Sequence, residues 1–128
     1  MRVIDSSTIV KFFSLEPGWE STRDYVQLPA TIELAILELA NALGKKTRSG
    51  LLDSETAVEV LDKFDRIAFY FDQREYIGKA FVIATSSNIT IYDALFIAVA
   101  SVEGSELVTS DGRQALVARK EGVQTIEC

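Results

Sequence analysis

The chain has 128 residues, long enough for one domain with a hydrophobic core, and its 19 acidic and 13 basic residues give a net charge of −6. It contains no histidine, which excludes Ser-His-Asp and Cys-His catalysis and the zinc sites that need imidazole. A single cysteine, Cys128, excludes an intramolecular disulfide and favours a reducing, cytoplasmic location.

Short apolar runs alternate with helical patterns along the whole chain. Pro29 and the glycines near positions 18, 50 and 122 mark the ends of helices. In chain order, the predicted elements are a strand at 2–5, helices at 6–18, 19–27, 31–50 and 51–67, a strand at 67–71, helices at 73–87 and 91–103, a strand at 106–110, a helix at 111–122 and a strand at 123–127.

This alternation predicts an α/β fold, in which a parallel sheet is covered by helices on both faces. Neither a linker nor a repeat interrupts the pattern, so we expect one domain spanning residues 1–128. No apolar run approaches the ~20 residues that span a bilayer, so we expect no membrane partner. In parallel sheets, ligands bind beyond the carboxyl ends of the strands, which is where chemistry is expected.

Four carboxylates stand at informative positions. Asp5 ends the first strand, Asp111 follows the strand at 106–110, and Asp93 lies in the first turn of the helix after Thr90. Each of these aspartates also has a purely structural interpretation as a helix cap or as part of a capping box. Glu38 differs, because it lies deep inside a predicted helix, where no capping role is available.

The neighbours of Glu38 are mostly apolar, so its carboxylate needs a partner or a raised pKa. Asn41 lies about 60° away on the helical wheel and can share the same face. Lys45 lies on that face too and offers an ordinary salt bridge as the alternative to a functional role.

Four carboxylates gathered at one sheet edge would repel each other unless a cation neutralised them. Mg²⁺ or Mn²⁺ prefers such oxygen ligands, so the acids are candidate metal ligands. The net negative charge argues against a broad nucleic-acid-binding surface. A local basic rim is conceivable, although a solvated helix C-terminus explains its first three members equally well: Lys45, Lys46, Arg48 and Arg113.

Four separated segments resemble, in order, the motifs of the PIN-domain ribonucleases, in particular the VapC-type toxins of toxin–antitoxin pairs. They are VIDSSTIVKFF, LELANAL, ITIYDALFIAVA and ELVTSDGRQ. The resemblance runs the length of the chain, and it carries the family's acidic site residues onto Asp5, Glu38, Asp93 and Asp111. Ser6 and Thr109 would supply supporting hydroxyls. The fold implied is a PIN-like three-layer α/β/α sandwich with a parallel sheet of about five strands.

The function that the resemblance implies is Mg²⁺- or Mn²⁺-dependent hydrolysis of RNA phosphodiester bonds by an endoribonuclease toxin. It also implies a cognate antitoxin protein and a homodimer. Two alternatives within the family stay open, namely an RNA-processing nuclease without an antitoxin and a catalytically silent interaction module. Haloacid-dehalogenase-type phosphatases fit less well, because Ser7 stands where they have a second Asp. Receiver domains fit less well because no acidic pair stands near the first strand.

Overall fold

A computed structural model describes all 128 residues of the chain. The strands are β1 Arg2–Ile4, β2 Ala30–Ile32, β3 Phe69–Phe71, β4 Glu106–Thr109 and β5 Thr125–Glu127. The helices are α1 Ser6–Phe13, α2 Glu33–Arg48, α3 Ser54–Ile67, α4 Ile77–Ser87, α5 Ile91–Glu103 and α6 Gly112–Lys120, with 3-10 helices at Trp19–Tyr25 and Gln73–Tyr76.

All five strands pair in parallel in one sheet of order β3-β2-β1-β4-β5. The chain moves outward from β1 to β3 and then returns past β1 to β4 and β5. Because parallel crossovers are right-handed, this reversal puts α1, α2 and α3 on one face and α4, α5 and α6 on the other. The predicted parallel sheet of about five strands between two helical layers is therefore confirmed. The strand order reverses between β1 and β4, where doubly wound sheets bind their ligands.

Helix α5 is the most buried helix of the fold. Its residues Ala94 to Ala100 are each 6% exposed or less, which explains the uninterrupted apolar run. The Thr90 hydroxyl caps its first turn by accepting from the Asp93 amide, and Gly104, with φ of 63°, ends it. The buried run thus anchors the helix rigidly, and the first turn of that helix presents Asp93 at the surface of the sheet edge.

One strand was missed by the sequence interpretation, which placed Thr31 and Ile32 in the long helix. These residues form β2 between β1 and β3, and α2 begins only at Glu33. Thr31 is fully buried and donates its hydroxyl to the Ile4 carbonyl at 2.7 Å. Strand pairing with remote segments outweighs the local helical pattern here, since the apolar sequence of 31–37 is compatible with both structures.

Other boundaries differ by a few residues. Helix α1 ends at Phe13, before the predicted stop at Pro17, and the short helix predicted at 19–27 is a 3-10 helix. The helix predicted at 73–87 begins with a 3-10 turn at Gln73–Tyr76 and continues as α4. No single helix is long and apolar enough to cross a membrane. The segments Gln73–Ser87 and Ile91–Glu103 reach the length and apolar composition of a membrane span only when taken together, and they are bent by 118° relative to each other.

Candidate active site

A cavity of about 500 Å³ lies at the carboxyl edge of the sheet, over the ends of β1 and β4. All four carboxylates singled out in the sequence line it: Asp5, Glu38, Asp93 and Asp111. They come from four different elements that are up to 106 positions apart, since Asp5 and Asp111 are the outermost pair. The fold therefore brings together acids that no local pattern connects.

Asp5 is the most buried of the four, with 3% of its surface exposed. Its Oδ1 accepts hydrogen bonds from Ser7 Oγ at 2.7 Å and from the Thr8 amide at 3.2 Å, so it caps α1. Its Oδ2 accepts from Thr109 Oγ1 at 2.5 Å. Burial raises the pKa of Asp5 to about 6, although these donors oppose the shift.

Asp111 and Asp93 both stand at the start of a helix and line the cavity. Asp111 Oδ1 accepts from the amides of Arg113 and Gln114 at 2.9 and 3.2 Å and caps α6. Asp93 follows the Thr90 cap of α5, and burial together with the nearby Asp111 charge raises its pKa. The capping interpretation is therefore correct for Asp111, whereas α5 is capped by Thr90 rather than by Asp93, and both aspartates also line the cavity.

Glu38 reaches the cavity from the middle of α2. Partial burial raises its pKa, the nearby Asp93 charge raises it further, and the neighbouring Ser6 hydroxyl lowers it. The ordinary salt bridge with Lys45 that the helical spacing suggested does not form. Glu38 is therefore a half-buried carboxylate that no basic side chain neutralises.

Electrostatic repulsion links the acids in pairs. Asp111 disfavours the charged forms of both Asp5 and Asp93, and Asp93 does the same to Glu38. None of the protein's three ion pairs includes any of these acids, since they join Glu106, Asp72 and Glu127 to arginines. The cavity thus carries concentrated negative charge that no ion pair within the protein neutralises.

The donor set suits a hard divalent cation. Carboxylate oxygens are the ligands that Mg²⁺ and Mn²⁺ prefer, and a bound cation would remove the mutual repulsion. No three acidic or cysteine side chains lie close enough to hold an ion as they stand. Mg²⁺ usually takes one or two carboxylates directly and keeps waters in its other positions.

Of the predicted supporting residues, Ser6 and Thr109 lie at the site, and Asn41 lies beside it. Ser6 lines the cavity next to Glu38. Asn41 is exposed and lines a second cavity of about 520 Å³, which shares Glu38 with the first. The two cavities also share Val10 and Glu16, so they are adjacent along the surface.

Ser7 and Gln114 also hold the site together, although neither was predicted from the sequence. Ser7 Oγ accepts from the Ser110 amide at 2.9 Å while it donates to Asp5, which ties α1 to the end of β4. Gln114 is buried, and its Nε2 donates to the Asp93 carbonyl at 2.8 Å. The hydroxyl-rich sequence around Asp5 was a usable signal for Ser7, whereas nothing local pointed to Gln114.

The predicted basic rim lies outside the main cavity. Lys45 and Lys46 line the second cavity, and the Lys46 ammonium donates to the Ser14 carbonyl. Arg113 donates to the Asn88 carbonyl at 3.3 Å, and its charge favours the ionised form of Asp93. Arg48 lines neither of these two cavities.

Comparison with known proteins agrees with this architecture. The family model of the PIN domain matches residues 2–120. Two proteins of Pyrobaculum aerophilum are similar in sequence. Ribonuclease VapC3 is 32% identical, covering 88% of this chain and 91% of the relative, and Exonuclease VapC9 is 28% identical, covering 98% and 90%. The crystal structure of PAE2754 from Pyrobaculum aerophilum superposes with a TM-score of 0.74 at 25% identity, covering 97% of this chain and 82% of that one. The resemblance of the four motifs is confirmed: the chain belongs to the PIN domain family.

Proposed function

We propose that this protein is a metal-dependent endoribonuclease and the toxin component of a toxin–antitoxin pair, acting in the cytoplasm. The observation that carries the proposal is the convergence of four carboxylates without ion-pair partners in one cavity, at the point where the strand order of the sheet reverses. The relative named Ribonuclease VapC3 supports RNA as the substrate, and the resemblance of the four motifs to VapC-type toxins implies a partner antitoxin. We propose that the active form is a homodimer.

Asp5, Glu38, Asp93 and Asp111 would hold Mg²⁺ or Mn²⁺ and position the attacking water. The ion, when bound, supplies positive charge that stabilises the five-coordinate phosphorus of the transition state, and it lowers the pKa of a water molecule. Ser7 and Thr109 keep both oxygens of Asp5 in place by hydrogen bonds that they donate from α1 and β4. Gln114 does the same for the main chain at Asp93. With no histidine in the chain, proton transfer falls to the carboxylates and solvent.

The cleavage mode separates the two activities that the relatives' names suggest, since one is called a ribonuclease and the other an exonuclease. RNA labelled at either end distinguishes them, because endonucleolytic cleavage produces internal fragments from both labels. Exonucleolytic cleavage removes one label first and then shortens the other product step by step.

The experiment that tests the proposal compares RNA cleavage in Mn²⁺ by wild type, Glu38→Gln and Asp5→Asn. Glu59→Gln is the matched control, because Glu59 is an exposed acid on α3. We expect both cavity variants to lose at least a hundredfold in rate and the control to retain full activity. Equal activity in all variants would show that this cavity is not the active site. If wild type binds Mn²⁺ but does not cleave RNA, the result would favour the catalytically silent interaction module.

A second comparison separates the toxin from an RNA-processing nuclease. A toxin should arrest growth when it is expressed alone and should be relieved by a small protein encoded beside it. Asp93→Asn, which should be inactive, serves as the control for toxicity that does not depend on cleavage. Growth arrest that persists in this variant would argue against a nuclease toxin.

A further inference from the structure

Lys11 is the only basic residue that lines the acidic cavity. The same wall holds five carboxylates, since Glu16 joins the four described above. Lys11 projects from α1 and is not among the basic residues that the sequence interpretation selected. A lone cation among uncompensated acids raises the question of what it contacts.

The ammonium of Lys11 pairs with none of these carboxylates. None of the three side-chain ion pairs includes Lys11. Its Nζ instead donates to the main-chain oxygen of Cys128 at 3.4 Å, and the Cys128 amide donates to the Thr109 carbonyl at 2.9 Å. The ammonium is therefore held at the end of β5, beside the end of β4, and its remaining hydrogen-bond donors stay available.

The loop after α1 also shapes the path of this side chain. Gly18 has φ of 84°, a conformation that favours glycine, and lies against Lys11. A Cβ atom at position 18 would lie 3.3 Å from Lys11 Cε and 3.5 Å from Nζ. Because Gly18 has no side chain, the end of the Lys11 side chain can pack against the loop at this position.

We propose that Lys11 binds a phosphate of the RNA backbone next to the bond that is cleaved, an inference that rests on the proposed nuclease function. A polyanion approaching five carboxylates meets repulsion that a metal ion relieves only at its own position. A cation fixed on the wall of the same cavity gives an adjacent phosphate a charged hydrogen-bond donor. By contrast, Lys46 lines only the neighbouring cavity, which lacks Asp5, Asp93 and Asp111.

The test measures the dissociation constant for a single-stranded RNA oligonucleotide and the cleavage kinetics, at several salt concentrations, for wild type, Lys11→Gln and Lys11→Arg. Lys63→Gln is the matched control, because Lys63 is an exposed lysine on α3 and its substitution removes the same charge. We expect Lys11→Gln to bind RNA about tenfold more weakly, with a salt slope reduced by about 0.7, the value for one phosphate contact on a single strand. Lys11→Arg should restore most of the affinity.

Mn²⁺ binding, measured by titration without RNA, separates this role from others. Loss of a positive charge beside the acids should leave Mn²⁺ affinity unchanged or tighter, so weaker RNA binding with intact metal binding supports the proposal. If Lys11→Gln matches Lys63→Gln in RNA affinity and salt slope while wild type cleaves RNA, Lys11 is only an internal counterion. The inference about Lys11 then fails, and the proposed nuclease function stands. If wild type neither binds nor cleaves RNA, the nuclease function and this inference fall together.

Discussion

Thr109 joins the ends of two neighbouring strands through the side chain of Asp5. The Thr109 hydroxyl donates to Asp5 Oδ2 at 2.5 Å and accepts from the Asp111 amide at 3.0 Å. Ser7 makes the equivalent link from the Ser110 amide to Asp5 Oδ1. Two hydroxyls therefore connect main-chain N–H groups after β4 to the two oxygens of the buried Asp5 carboxylate. Each hydroxyl can be removed separately by substitution.

Replacing Thr109 with valine keeps the shape of the side chain but removes the donor to Asp5. We expect a loss of about 1–3 kcal/mol in the free energy of unfolding, because a buried acceptor and the Asp111 amide both lose a partner. The loss should be larger at pH 7.5 than at pH 4.5, since the bond favours the ionised form of Asp5, whose pKa is about 6. Urea unfolding measures both values.

Thr85→Val is the control for that substitution, because Thr85 is an exposed threonine on α4. Its stability should change by less than about 0.5 kcal/mol at either pH. An equal, pH-independent loss in both variants would mean that the Thr109 hydroxyl does not act through Asp5.

The raised pKa of Asp5 predicts the sign of a pH effect in the metal-free protein. The folded state binds this proton more tightly than the unfolded state, whose carboxyl pKa is about 3.9, so the contribution is full below pH 4 and is lost as pH rises through about 6. Asp5→Asn removes the titration. Measured with a chelator from pH 4.5 to 7.5, wild type should therefore lose about 2 kcal/mol relative to this variant, because part of the full effect lies below pH 4.5. A difference that stays constant across this range would contradict the assigned pKa.

Asp93→Asn should stabilise the metal-free protein, because it removes one of the charges that repel Glu38 and Asp111. With Mn²⁺ present, wild type should instead be more stable than the variant. At a hundred times the dissociation constant, the ion adds about 2.7 kcal/mol to wild type and much less to the variant. Thermal unfolding with chelator and with millimolar Mn²⁺ measures both effects. Asp62→Asn, an exposed aspartate on α3, should respond to the ion as wild type does.

Gln114→Leu tests whether the main chain at Asp93 needs its hydrogen bond. The substitution leaves the Asp93 carbonyl without the Gln114 Nε2 donor, which lies 2.8 Å away, while the packing volume is nearly kept. We expect kcat to fall about tenfold and KM to change little, because the carboxylates shift relative to each other while the RNA contacts remain. Gln124→Leu is the control, as Gln124 is exposed and its side chain donates no hydrogen bond. A change in KM alone would place Gln114 in substrate binding instead.

Much of the fold follows from local patterns. The apolar run of 94–100 predicted a buried helix, and the positions of Asp5 and Asp111 predicted carboxylates at one sheet edge. Strand β2 was the exception. A three-residue strand carries little periodicity, and its stability comes from β1 and β3, which lie 27 and 39 positions away in the register pairs Val3–Ala30 and Ala30–Phe69.

The sequence by itself identified the four acids of the candidate site, because Asp5 and Asp111 follow strands and because Glu38 and Asp93 lie in two predicted helices with apolar neighbours. Only the tertiary structure decided that they repel one another in one cavity, that Lys11 lies among them, and that Gln114 holds Asp93 from a helix 21 positions away. Charge repulsion and hydrogen bonding depend on distances of a few ångströms in space. Those distances are set by the packing of the whole sheet and its helices rather than by any local run of residues.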